Sequence, residues 1–184
     1  MTLGSLLDAT GTSAGEVAGR LAGLAQTELE GECLALTPGQ QKRLWLLASS
    51  AVGEAAGELL GGSTVVFAGR NSLRLFSRFE KWFARLDGAI VGCNRHALAP
   101  LIGPGYFTVR DDAAAVLEFD YGHVPLQAPD GWPPAKSNDG LLARPVYGNL
   151  LDRVVWVSPD VLAGAAYRGG EPLDSYFVLV RATR

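Results

Sequence analysis

A chain of 184 residues has room for one domain with a core that needs neither disulfides nor a structural metal. At 48% apolar and 19% charged it is not a disordered chain, and a net charge of −3 lacks the positive excess of a general nucleic-acid binder. Two cysteines, Cys33 and Cys93, exclude a disulfide framework and read as free thiols in a reducing compartment.

The first residues, MTLGSLLDATG, lack the basic start and apolar core of a signal peptide. No apolar run reaches the ~18 residues of a membrane helix. The longest candidate, Leu44 to Leu60, carries Glu54 and Glu58. A cytoplasmic protein is expected. Ser13-Ala14-Gly15-Glu16 is a capping-box pattern, and Val17, Leu21 and Leu24 follow at helical spacing. This predicts a helix over about 14–29. Thr37-Pro38-Gly39-Gln40 is a second helix start, with a cap, a first-turn proline and a returning glutamine. Leu44, Ala48, Val52, Ala55 and Leu59 line one face, and Gly61-Gly62 ends this helix.

Thr64 to Phe67 reads as a short β-branched strand. The spacing of Leu75, Phe76, Phe79, Trp82, Phe83 and Leu86 predicts an amphipathic helix over 72–87. In that helix Arg70, Arg74, Arg78, Lys81 and Arg85 form a basic stripe suited to anionic groups. A strand over the same residues remains open, and in it the stripe disappears. Short strands follow at Ala89–Val91, Tyr106–Arg110 and Ala115–Tyr121. Gly103-Pro104-Gly105 reads as a tight turn. Residues 125–140 carry prolines, Gly131, Asn138 and Gly140 and read as a long loop of the kind that covers a site. Leu150–Val157, Val161–Tyr167 and Ser175–Arg181 close the chain as strands joined by turns.

Short strands with turn-length links imply an antiparallel meander, because parallel pairs need long crossovers. The fold class expected is α+β. A helical region over 1–62 packs on a curved sheet formed within 63–184, closing into a barrel or half-barrel, all in a single domain. The closing strands V-L-A-G-A-A-Y and Y-F-V-L-V-R resemble the end of a lipocalin-like barrel, and the likeness covers only those strands.

Three functions are in view. The first is a binding protein for a small apolar or amphipathic ligand, lipid-like and anionic in one form. Its expected contacts are Arg74, Arg78, Lys81, Tyr106 and Trp132, with the loop 125–140 as a lid. The second is a small enzyme built on Asp120, Tyr121 and His123, where a carboxylate beside an imidazole makes an acid–base pair. On a strand, Glu118 and Asp120 share one face and Phe119 and Tyr121 the other. The third is an interaction subunit, with a homodimer as one form, docking through 70–86. Cys93-x-x-His96 has too few companions for a zinc site, no P-loop or dinucleotide fingerprint is present, and no cofactor or metal is expected.

Overall fold

The computed structural model describes residues 1–53, 57–60, 64–73, 77–111 and 116–182. Four helices open the chain: α1 (Leu3–Asp8), α2 (Ala14–Ala22), α3 (Gln26–Leu34) and α4 (Pro38–Ser50). Both capping boxes read from the sequence are formed. The Glu16 carboxylate accepts from Ser13 N at 2.8 Å while Ser13 Oγ accepts from Glu16 N. Thr37 and Gln40 make the same exchange at the start of α4. Two boundaries differ from expectation. The run 14–29 divides into α2 and α3 at Gly23–Ala25, and α4 stops at Ser50, so Leu59 packs instead at one end of the barrel. Ala55 and Gly61-Gly62 lie outside the described residues.

Eight strands follow: β1 (Thr64–Asn71), β2 (Arg78–Leu86), β3 (Ala89–Arg95), β4 (Phe107–Asp111), β5 (Leu117–Asp120), β6 (Leu150–Ser158), β7 (Val161–Arg168) and β8 (Glu171–Arg181). Each pairs antiparallel with the next, and β8 returns to pair with β1, so the meander is a closed barrel. A four-residue helix, α5 (Ala99–Ile102), lies between β3 and β4, and another, α6 (Arg144–Tyr147), precedes β6. The expected α+β fold, helices against an antiparallel barrel, is the one observed. No described helix is long and apolar enough to cross a membrane.

The segment expected as an amphipathic helix over 72–87 is the main correction. Residues 78–86 are strand β2, paired with β1 on one side and β3 on the other. The basic stripe therefore does not exist. Arg78 and Arg85 are exposed, while Lys81 is buried. Arg74 and Phe76 lie outside the described residues. The docking helix of the interaction-subunit reading is not formed.

The barrel is covered outside as well as filled inside, which explains the long apolar runs in its closing strands. Phe67, Phe83, Phe107, Phe119, Val154, Leu162, Phe177 and Leu179 form the interior core. Val155, Val157, Val161, Ala163, Ala165, Val178 and Val180 belong to a second core shared with Leu3, Leu7, Val17, Leu21, Leu29 and Leu44 of the helices. Alternate residues of β6, β7 and β8 thus meet different partners, but both sets are apolar. Inside, glycines make room for aromatic rings. A Cβ on Gly92 would stand 2.3 Å from the Phe107 ring, and one on Gly164 would stand 2.2 Å from the Phe177 ring. The rings lie over bare backbone, which lets an eight-stranded barrel hold this many of them.

Candidate ligand-binding site

An eight-stranded barrel is just wide enough to be filled by side chains or to admit one small ligand. Here one end is filled and the other holds a cavity of about 380 Å³. Its floor is a polar group built from three strands and the residue that follows a fourth. Lys81 of β2, Asn94 of β3 and Asp152 of β6 point inward, joined by Tyr121 directly after β5. Lys81 and Asn94 are direct partners across β2 and β3, and Asp152 lies opposite Phe119, two residues before Tyr121.

Lys81 Nζ is 2.9 Å from Asn94 Oδ1, 2.5 Å from Tyr121 Oη and 3.1 Å from Asp152 Oδ2. The Tyr121 hydroxyl donates to Asp152 Oδ2 at 3.1 Å and accepts from Asn94 Nδ2 at the same distance. Both ends of the ion pair are sealed from solvent, Lys81 at 2% and Asp152 at 4% exposure. The rings of Phe79, Phe107, Phe119, Tyr121 and Phe177 surround the nitrogen, with centroids 4.7–5.7 Å away. Their faces favour the ammonium form, as does Asp152. Burial works the other way and is the larger effect, so the Lys81 pKa is lowered from its ordinary value of 10.5. Burial, reinforced by the Asp152 charge, pushes the Tyr121 phenol well above 10.0, so it stays a neutral hydroxyl.

Above this floor stand His96 and Tyr147. Tyr147 stacks on Tyr121, with centroids 5.5 Å apart and planes 8° from parallel. His96 Nδ1 accepts from Leu98 N at 3.2 Å, which leaves the proton on Nε2 to donate to Tyr147 Oη at 2.7 Å. Burial, with Lys81 second, lowers the His96 pKa from 6.5. Helix α6 carries Tyr147 across the mouth. It is anchored by Arg168, whose guanidinium donates to the carbonyls of Pro145 and Val146 at 3.1 and 3.0 Å. Arg168 Nε is buried with no hydrogen-bond partner among the described residues. The half-exposed Leu73 and Leu173 complete an apolar rim.

Of the residues expected from the sequence, Lys81 and Tyr121 meet in this cavity, with Lys81 on its floor rather than at its rim. Tyr121 leaves Asp120 and His123 behind. Asp120 faces outward, bound to Arg110 at 2.8 Å and to His123 Nδ1 at 2.6 Å, and the His123 side chain is 74% exposed. Glu118 joins Arg110 and Arg153 on the same outer face. The expected triad is thus split across the barrel wall. Tyr106 and Trp132 are also outside the cavity. The loop 125–140 does not close the mouth but covers the outer face near β2 and β3. There Trp132 packs on Trp82 and Tyr106, Tyr106 Oη donates to Pro133 O at 2.5 Å, and Asn138 Nδ2 donates to the carbonyls of Tyr106 and Tyr121. Cys93 packs in this outer cluster, on the opposite face from Asn94, and burial pushes its thiol up to about 12. Among the described residues no group of three or more His, Cys, Asp and Glu is placed to hold a metal ion.

Asn94, His96, Tyr147, Asp152 and Arg168 were not in the expected site. A signal for two of them lies in the strand phase. Lys81 alternates with Phe79 and Phe83, and Asp152 with Leu150, Val154 and Trp156. Opposite charges in the apolar phases of two strands mark a buried pair. No family model matches the chain, and neither the curated proteins nor the solved structures searched contain a match.

Proposed function

We propose that the protein binds a small, mainly apolar molecule with one polar end, taken up through the barrel mouth. The observation that carries this reading is the cavity of about 380 Å³ whose walls are apolar and whose floor is a hydrogen-bonded polar group. Ligand sites have this composition: apolar walls supply affinity and a few convergent polar groups set orientation. The body of the ligand packs on Phe79, Phe177, Leu150 and Ala166, and its polar end meets Lys81, Asn94, Tyr121 and Asp152.

Arg168, which also lines the cavity, is engaged with the Pro145 and Val146 carbonyls in holding α6 at the mouth, so the ligand's polar end is assigned to the floor. Native mass spectrometry on gently purified protein tests the reading, repeated after denaturation and organic extraction. A bound species below the mass of a lipid or fatty acid, lost on denaturation, is the expected result. Recovery of the bare chain, with no uptake of added apolar compounds, would contradict it.

A further inference from the structure

We propose that Lys81 is the amine of a Schiff-base site, condensing with the carbonyl carbon of a small apolar aldehyde or ketone held in the barrel. This rests on the ligand-binding reading and assigns the chemistry of its polar end. The chain has three lysines. Lys136 is exposed, and Lys42 is a surface residue paired with Asp174 at 2.6 Å. Lys81 is the amine that lines the cavity.

Its surroundings match what the reaction requires. An amine must be free of its proton to attack, and a desolvated lysine holds that proton less tightly than one in water. Burial among aromatic rings supplies the desolvation, and outweighs the pull of Asp152. The groups in contact with Nζ can move the protons. Asp152 at 3.1 Å accepts one from the ammonium, and the Tyr121 hydroxyl at 2.5 Å gives one to the developing alkoxide and is reprotonated through its bond to Asp152. Asn94 Oδ1 at 2.9 Å orients the nitrogen.

The nitrogen lone pair forms the C–N bond while the carbonyl π pair moves to oxygen. The nitrogen then gives a second proton to Asp152, which passes it through Tyr121 to the hydroxyl; the hydroxyl leaves as water, and the lone pair regained by nitrogen completes the C=N bond. One ammonium and one carbonyl give one protonated imine and one water, with charge conserved and no change of oxidation state. The product cation stays opposite the Asp152 carboxylate and within the five rings. A purely structural role explains these contacts less well. A buried ion pair is no more stabilising than an apolar pair of similar volume, and filling the barrel would not leave a cavity beside it.

The test uses the unaltered chain, so no folding defect intervenes. Protein is incubated at neutral pH with cinnamaldehyde and cyanoborohydride, which reduces an imine to a stable secondary amine, and the labelled lysine is found by peptide mapping. Cinnamyl alcohol, which has the same shape without the carbonyl, is titrated in parallel by quenching of protein fluorescence. The expected result is binding of the alcohol and labelling of Lys81 at least about tenfold faster than Lys42 or Lys136, because the cavity holds the aldehyde beside a desolvated amine that gives up its proton more readily than the two surface lysines. The alcohol should also slow that labelling. If the alcohol binds but Lys81 is labelled no faster than the other two lysines, the Schiff-base site is overturned and the binding cavity stands. If the alcohol does not bind and Lys81 is not labelled, both fall.

Discussion

Lys81 and Asp152 stand 71 positions apart in the chain and meet at 3.1 Å inside the barrel, each almost wholly cut off from solvent. Neither charge has water to fall back on. Removing one leaves the other buried and uncompensated, which typically costs about 3–5 kcal/mol. Lys81→Met should therefore destabilise by about that amount. The double variant Lys81→Met with Asp152→Leu should recover most of the loss. Chemical denaturation of both variants gives the coupling, and equal losses in the two would contradict an obligate pair.

This pair also explains how far the sequence could be read. The antiparallel meander, its helical cover and seven of the strands are legible because turn residues bound them and their apolar residues recur at strand spacing. Strand β2 is not legible that way. Its inner face carries Phe79, Lys81 and Phe83, and its outer face carries Trp82 and Ala84 beneath the loop. With apolar residues on both faces and a charge in the inward phase, alternation fails and helical spacing appears by coincidence. The misread residue is one that makes the site. Tyr121 is legible as a candidate, but beside Asp120 and His123, because residues adjacent in sequence look like neighbours until the barrel wall separates them. Nothing local in the sequence announces that Asn94, His96 and Tyr147 converge, since register and the closure of β1 on β8 bring them together.

The loop 125–140 is a test of placement. Trp132 packs on Trp82 and Tyr106 outside the barrel, away from the cavity. Trp132→Ala should cost about 3–5 kcal/mol, as buried tryptophans do, and leave ligand uptake by the cavity unchanged. Weakened uptake at full stability would instead place the loop over the mouth.

Gly164 and Gly92 hold the aromatic interior open. Gly164→Ala drives a methyl into the Phe177 ring, and since Phe177 lines the cavity the ring must shift. A loss of about 1–3 kcal/mol is expected from overpacking. Thermal unfolding measures it, and an unchanged midpoint would show that the ring has room to move.

Acidification should act through His96. Its pKa in the fold is lowered below 6.5 by burial and by Lys81, so as pH falls through 6.5 the unfolded chain takes up a proton before the folded one. The unfolded state then binds more protons, and stability falls with falling pH. His96→Gln should flatten this dependence. Denaturation of both chains at neutral and mildly acidic pH checks it, and identical slopes would assign the effect to other groups.

The most direct measurement of the cavity's role is a titration with the apolar dye N-phenylnaphthylamine, made on the native chain and on Ala166→Phe. Ala166 pairs with Asp152 across the strands and lines the cavity, so the new ring projects into the space a ligand would fill. The prediction is saturable binding to the native chain and none to the variant, with thermal unfolding showing that the variant still folds. Equal binding to both would mean that the dye, and by extension a ligand of its kind, does not use the barrel.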